Sequence, residues 1–160
     1  MSPSDRALIE TFAAGGDRMR LAIAGLTRAD CVARPGPGDW SIQELVIHMA
    51  DSDSIAIDRM KRVIAEENPT LVGYDENKWN AALHINEQSI EDAAMVFEIN
   101  RRQFSRVLRL IKPEALDRSG THTERGRVTL RDLLNTYTKH LDHHLKFLHG
   151  KRERLGKPVK

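Results

Sequence analysis

The sequence predicts an all-α fold, a four-helix bundle with a long crossover between its second and third helices. Apolar residues make up 40% of the chain and charged residues 30%, a composition typical of a soluble globular protein rather than a disordered one. Aromatic residues contribute only 5%, and the Leu, Ile, Val, Met and Ala that remain favour helices. Four segments repeat apolar residues at helical spacing, whereas no alternating pattern is long enough to predict a sheet. The 160 residues therefore predict one domain, 1–160.

The first two helices are predicted on either side of a loop rich in proline and glycine. The first covers about residues 4–26, and Gly15 and Gly16 predict a bend or a frayed turn in its middle. The second begins at Ser41, because Ser41 and Glu44 have the spacing of a capping box, in which each side chain satisfies a backbone donor of the other residue. Its apolar face continues to about residue 67.

The segment 68–88 breaks the helical period and is too long for a simple turn between helices. We expect a crossover that contains one short helix at about residues 76–83. The third helix follows Ser89, which has the spacing of a cap with Asp92, and it stops before Pro113.

The last part of the chain is predicted to hold an irregular stretch, a helix and a tail. Residues 118–128 contain two glycines and many polar residues, so they are expected to be irregular. Thr129 and Asp132 then cap the fourth helix, which we expect to end near His149 with Gly150 as its end cap. The residues from about 151 form a basic tail, which is expected to be solvated.

Histidines are the residues with the clearest chemical pattern, since four of the seven lie between 140 and 149. His140 and His144 are four residues apart and share one face of the fourth helix, so both imidazoles can reach one metal ion. His143 falls on the polar face and should be solvated. His48 borders the apolar stripe of the second helix, so it should point inward. Three neutral nitrogens on facing helices are typical of metal sites in bundles, and they leave a coordination position open, as in catalytic sites. The alternative is that these are ordinary core or surface histidines.

Several further residues are weaker candidates for the site. His84 and His122 lie in predicted loops, where a solvated side chain is favoured over a place at the mouth of a pocket. Asp51 and Asp142 could accept hydrogen bonds from the histidine N–H groups, although carboxylates on a charged helix surface are commoner. Cys31 has no partner pattern and is expected to be inert.

The sequence also argues against several classes of function. No apolar run approaches the roughly 20 residues that cross a bilayer, and the first residues do not resemble a secretory signal. A single cysteine suits a reducing cytoplasm. No basic face with interleaved aromatic residues is present, so nucleic acid is not an expected partner. Phosphate loops, dinucleotide fingerprints and nucleophile elbows are absent from the sequence.

Four short motifs resemble, in order and spacing, those of the DinB/YfiT-like superfamily. Residues 40–51, WSIQELVIHMAD, are similar to its Trp-Ser…Glu-Leu…His-Leu…Asp signature, and residues 140–145, HLDHHL, to its His-x-x-x-His motif. Residues 73–79, GYDENKW, resemble the linker of one subgroup, and residues 126–130, GRVTL, the turn before the last helix. The resemblance covers about residues 8–148.

This resemblance implies a fold, a metal site and a class of reaction. The fold is a four-helix bundle, the ligands map onto His48, His140 and His144, and the metal is zinc or nickel. Characterised relatives use the open position for chemistry with low-molecular-weight thiols such as bacillithiol or mycothiol, other relatives have no known activity, and many members form homodimers. We therefore expect a cytoplasmic homodimer that acts on a small molecule as a thiol S-transferase or a related hydrolase.

Two interpretations stay open at this point. Tyr74 and Trp79 are expected either to wall the pocket or to lie in the core or an interface. The protein itself is either a metal-dependent enzyme or a non-catalytic bundle that binds metal, dimerises or binds a partner.

Overall fold

Four long helices form the bundle in the computed structural model, which describes residues 1–159. They are α1 (Pro3–Ile23), α3 (Ile42–Ala65), α5 (Ile90–Leu110) and α6 (Leu130–Arg154). Helices α1 and α3 each pack against both α5 and α6, so α1 and α3 occupy opposite corners of the bundle. The predicted four-helix bundle is thus confirmed. Within residues 1–159, no helix is both long enough and apolar enough to span a bilayer.

Capping boxes fix where four helices begin. They occur at α1, α3, α6 and the short helix α2 (Arg28–Val32), through the pairs Ser2–Asp5, Ser41–Glu44, Thr129–Asp132 and Thr27–Asp30. In each box two backbone N–H groups that a helix start leaves unpaired gain side-chain acceptors. The predicted starts of α3 and α6 are confirmed, whereas α2 was not predicted.

Short elements fill the two long connections. Between α3 and α5 lie strand β1 (Thr70–Leu71), helix α4 (Glu76–Ala82) and a 3-10 turn (Ile85–Glu87), which confirms the crossover with one short helix. Between α5 and α6 lie a 3-10 turn (Pro113–Asp117) and strands β2 (Ser119–His122) and β3 (Gly126–Thr129).

The three strands form a small sheet, so the prediction of an irregular stretch at 118–128 and of no sheet was wrong. Strand β2 pairs antiparallel with β3 and parallel with β1, with Thr121 opposite Thr70. Strands of two to four residues are too short to show alternation, and β1 is distant from β2 in the sequence. Gly120 allows this close pairing, because a Cβ there would lie 2.7 Å from the carbonyl oxygen of Pro69.

A buried ion pair crosses the middle of the bundle and separates two apolar clusters. Arg101 Nε donates to Asp53 Oδ1 at 2.8 Å, and both side chains are only 1% exposed. The guanidinium lies between the rings of Phe12 and Phe97, with its carbon 4.4 and 4.3 Å from their centroids. One cluster includes Met19, Ile42, Leu45, Met49, Phe97, Leu141, Leu145 and Leu148, and the other includes Ile9, Phe12, Met60, Val63, Phe104, Leu108, Leu130 and Leu133.

Gly15 and Gly16 allow close packing of α1, and the predicted frayed turn at these residues was wrong. Helix α1 runs unbroken through both glycines. A Cβ at Gly15 would overlap the Arg101 guanidinium and would lie 2.8 Å from Leu141 Cδ2. Gly15 therefore makes room for the buried arginine, whereas Gly16 lets α5 approach, because a Cβ there would lie 3.0 Å from Glu98 Cα.

The fourth helix is longer than predicted, because α6 passes through Gly150 and ends at Arg154. The first residues of the predicted solvated tail are buried. Lys151 Nζ donates to the carbonyl oxygen of Gly38 at 3.2 Å, and Arg152 Nη1 donates to those of Ala22 and Ala24 at 2.8 and 2.9 Å. These basic side chains satisfy loop and helix-end carbonyls that would otherwise lack donors.

Candidate metal site

Helices α3 and α6 bring His48, His140 and His144 together. The Nε2 atom of His140 lies 3.3 Å from that of His48 and 2.9 Å from that of His144. One ring nitrogen from each residue lies within 4.8 Å of the other two. The spacing on α6 positions the pair on one face, and α3 supplies His48 because it packs directly against α6. His143 is exposed on the other face of α6, as its position in the helix predicts.

The three imidazoles are neutral at physiological pH. Burial, with a smaller contribution from repulsion between the rings, lowers the pKa of His48 and of His140 to about 4 and that of His144 to about 3. Neutral imidazole is the form that binds a metal, since a protonated nitrogen has no free lone pair. Protons therefore compete only weakly for these nitrogens above about pH 5.

The donor set fits a divalent metal. Nitrogens that bind zinc at about 2.0–2.1 Å in tetrahedral geometry are roughly 3.3 Å apart, close to the two Nε2 separations of 3.3 and 2.9 Å. Ser52 Oγ lies 3.4 Å from His140 Nδ1, so this hydroxyl orients the ring with Nε2 toward the other histidines.

Trp40 forms one wall of the cluster. Its ring meets His48 edge to face at 5.0 Å between centroids and stacks on His144 at 6.3 Å with 8° between the planes. The indole precedes the capping residue Ser41, so the start of α3 fixes its position. Its apolar surface contributes to the desolvation that keeps the rings neutral.

A cavity of about 260 Å³ opens beside the three nitrogens. Its walls come from α3, α6 and both long connections, and their residues are Trp40, His48, Ser52, Arg59, Gly73, Tyr74, Glu76, His122, Glu124, Arg125, Thr136, Tyr137, His140 and His144. The small sheet carries part of this wall, because β2 supplies His122. A cavity of this size suits a small molecule.

Of the candidate residues in the two long connections, some line the cavity and others lie outside it. Tyr74 lines the cavity, and Trp79 packs against the Tyr74 ring at 4.6 Å between centroids. His122 also lines it and is only 4% exposed, so the expectation of a solvated loop was wrong because β2 lies between two other strands. His122 Nδ1 accepts the N–H of Glu124 at 3.2 Å. His84 is exposed.

Asp51 and Asp142 lie away from the histidine cluster, which corrects their expected role as acceptors. Asp142 pairs with Arg18 at 2.7 Å on the surface. Asp51 faces a separate cleft with Gln88 and Asp92. Asp51 is three positions from His48, and the turn of the helix points it away from α6, whereas Ser52, four positions on, faces His140.

Arg59 is a cavity residue that was not predicted from the sequence. It donates through Nη1 to the Tyr137 hydroxyl at 2.7 Å and through Nη2 to the carbonyl oxygen of Val72. His48, Ser52 and Arg59 are spaced four and seven residues apart, which places them on one face of α3. This helical spacing is the sequence pattern that could have identified Arg59 as a neighbour of the metal site.

Comparisons with known proteins agree with this architecture. The sequence model of the DinB superfamily matches residues 11–148. A protein of Oceanobacillus iheyensis named "Putative metal-dependent hydrolase OB0782" is 32% identical over 68% of this chain and 62% of its own length, so the chain spans just under two thirds of that relative. A Bacillus mycoides protein, "Putative metal-dependent hydrolase BcerKBAB4_2443", is 28% identical over 74% of this chain and 68% of its own length.

A solved structure shares the fold. YfiT from Bacillus subtilis, described as a probable metal-dependent hydrolase with an unusual four-helix bundle topology, superposes with a TM-score of 0.89 over 98% of this chain and 90% of YfiT, at 21% identity.

Proposed function

Because the chain belongs to the DinB superfamily, we propose that it is a metal-dependent hydrolase of a small molecule, with the metal held by His48, His140 and His144. The observation that carries this proposal is the convergence of three neutral imidazole nitrogens at the wall of a cavity of about 260 Å³. The names of the relatives support metal dependence and hydrolysis.

The proposed chemistry divides between the metal and the residues around it. A divalent metal such as zinc or nickel supplies a Lewis acid that lowers the pKa of water or of a thiol. Ser52 orients His140, and Trp40 shields His48 and His144 from water. His122 accepts a backbone N–H at Nδ1, so the neutral ring holds its proton at Nε2.

Transfer of a low-molecular-weight thiol is the second candidate function. Among residues 1–159, no carboxylate is hydrogen-bonded to any of the three histidines, and the cavity carboxylates belong to the exposed Glu76 and Glu124. A thiol bound to the metal would be deprotonated outright, whereas zinc-bound water ionises at about pH 7 to 9, so a thiol would need less help from a base. That difference favours a thiol as an additional nucleophile.

Metal content tests the ligand set. We expect about one divalent ion per chain in the wild type, and loss of stoichiometric binding in His48→Ala, His140→Ala and His144→Ala, because each removes one of three donors. His143→Ala is the matched control, since this exposed neighbour on α6 should leave the metal content unchanged. Elemental analysis of untagged protein measures both. Metal retained in His140→Ala but lost in His143→Ala would contradict the assignment.

Turnover separates the two reactions. Metal-loaded protein is incubated with a panel of small esters, amides and thiol-reactive electrophiles, with and without bacillithiol, mycothiol or glutathione. Hydrolysis predicts product without thiol, and S-transfer predicts product only with thiol. Both predict that His48→Ala and a chelator abolish turnover, so activity that survives either treatment would refute a metal-dependent reaction.

A further inference from the structure

We propose that Arg59 binds a carboxylate on the substrate, at the end of the molecule opposite the group that reaches the metal. This inference rests on the proposed function and assigns a substrate class to the same cavity, namely small carboxylic acids that carry a second, reactive group. Four observations about charge and hydrogen bonding support it.

The first observation is that Arg59 is incompletely satisfied. It is 7% exposed, and its Nε is buried without a hydrogen-bond partner among the described residues. Its hydrogen bonds go to the Tyr137 hydroxyl and to the carbonyl oxygen of Val72, and its guanidinium carbon lies 6.0 Å from the centroid of the Tyr74 ring. No carboxylate in residues 1–159 forms an ion pair with it. A buried cation without a counter-charge is costly unless a ligand supplies one.

The second observation comes from the other buried arginines. Arg101 has the Asp53 carboxylate, two backbone carbonyls and two aromatic rings as partners. Arg152 has the carbonyls of Ala22, Ala24 and Lys157. Among these three arginines, Arg59 alone lines the cavity, and it alone has a buried nitrogen without an acceptor.

The third observation is that Arg59 is the one buried charged side chain among the cavity residues. Glu76, Glu124 and Arg125 also line the cavity but are exposed, so water screens their charges. Burial lowers the pKa of His122, which Arg59 and Arg125 lower further and Glu124 raises. One buried cation favours a single negative charge over a dianionic phosphate.

The fourth observation is the position of Arg59 relative to the metal site. His48 and Arg59 lie on one face of α3, eleven residues and about 16 Å apart along the helix axis. Long side chains on a helix lean toward its N-terminus, which favours a guanidinium on the His48 side of the Arg59 backbone. Tyr137, which accepts the Arg59 hydrogen bond, has its ring 6.5 Å from that of His140. One small molecule can therefore reach both ends of the cavity.

The test uses cobalt-loaded protein and two-ended probes. The probes are the monohydroxamates of succinic, glutaric and adipic acid, each compared with the analogue in which a neutral carboxamide replaces the carboxylate. The hydroxamate end is designed to bind the metal, and the carboxylate or carboxamide end is designed to contact Arg59. Dissociation constants come from the visible spectrum of cobalt, so the readout does not depend on turnover.

We expect the carboxylate probe of the best length to bind at least about tenfold more tightly than its amide, as a charge-assisted hydrogen bond would give. Arg59→Gln should abolish that preference, and Arg59→Lys should reduce it because lysine keeps the charge without the guanidinium fork. Arg152→Gln is the matched control, a buried arginine outside the cavity, and should keep the preference even if it melts earlier.

Each other outcome overturns a defined part of the inference. Equal binding of acid and amide by the wild type overturns it without any variant, so a misfolded Arg59→Gln cannot hide the answer. A preference that survives in folded Arg59→Gln, or that disappears in Arg125→Gln while Arg59→Gln keeps it, overturns the assignment to Arg59. In all these cases the metal site stands. Failure of cobalt to bind, or of every probe to change its spectrum, overturns the proposed function as well.

Discussion

At the scale of single residues, the three site histidines owe their chemistry to where they are buried. The same side chains in water would be half protonated near pH 6.5, whereas here burial keeps them neutral and turned toward one another. A group that folding forces to remain neutral ties the stability of the fold to pH.

We expect the metal-free protein to become less stable as the pH falls from about 6.5 toward 4. In this interval the unfolded chain binds protons at histidines with an ordinary pKa of 6.5, whereas folded His48, His140 and His144, with pKa values of about 4, 4 and 3, bind few. At these three residues the unfolded state thus holds up to three more protons, and His122 and His149, whose pKa values burial also lowers, act in the same direction. The free energy of unfolding therefore rises with pH in this window. Burial raises the pKa of Asp53, so the folded state binds about one proton there that the unfolded state does not. This proton partly offsets the effect of the histidines on the free energy of unfolding.

Urea unfolding of the metal-free protein at several pH values between about 7 and 5 measures this slope. His144→Gln should lower the slope by about one proton, because it removes one of the three groups. A free energy of unfolding that stays constant across the window would contradict the neutral state of the cluster.

The same scale shows what the sequence could reveal about the site. His48, His140 and His144 were identified because helical phase is a local property, and the structure brings them together. Asp51 and Asp142 were wrongly considered as acceptors for the histidine N–H groups, because they are close to the histidines in the sequence but not in space. Arg59 was overlooked, since an arginine in an amphipathic helix is usually a surface residue and only tertiary packing reveals that it is buried.

At the scale of elements, the four long helices and α4 could be predicted, whereas the strands and the five-residue helix α2 were not. Ser41 with Glu44 and Thr129 with Asp132 mark helix starts within three residues, and both starts are where these pairs predict. Strand β2 depends on β1, which is far away in the sequence, so no local pattern marks it. The end of α6 was misjudged for a similar reason, because Lys151 and Arg152 are held by carbonyls of distant segments.

The contact between α1 and α5 gives a prediction at this scale. Gly15→Ala should destabilise the protein, although alanine favours a helix over glycine by about 1 kcal/mol. The new Cβ would overlap the Arg101 guanidinium and would lie 2.8 Å from Leu141 Cδ2, and overpacking of this kind costs about 1–3 kcal/mol. Thermal melts measure the change.

Gly150→Ala is the control for that experiment, since Gly150 also lies inside a helix. Its Cβ would lie 3.1 Å from the ring of Pro37, a contact that a shift of a few tenths of an ångström relieves. We expect little change or a small gain in stability. Equal effects of the two substitutions would mean that space for Arg101 does not explain Gly15.

At the scale of the whole molecule, the metal is expected to add stability to a fold that forms without it. The two apolar clusters contain most of the large buried side chains, and the histidines lie at the cavity wall. Chelation should therefore leave the helical circular-dichroism signal intact and lower the melting temperature, since a metal at 100 times its dissociation constant adds about 2.7 kcal/mol. Chelation should lower the melting temperature of His143→Ala by the same amount as that of the wild type. Loss of helical signal at room temperature would mean that the metal is structural.

The separation of the proposed ligands along the chain determines when the metal site can form during synthesis. His48 and His140 are 92 positions apart, so the first ligand is synthesised long before α6 exists. Until α6 emerges and docks, His48 is the only one of the three proposed ligands in the nascent chain, and one imidazole cannot hold a divalent ion tightly. The complete three-nitrogen cluster first forms when α3 and α6 have packed together, so the proposed metal binding would take place only in a chain whose bundle has closed.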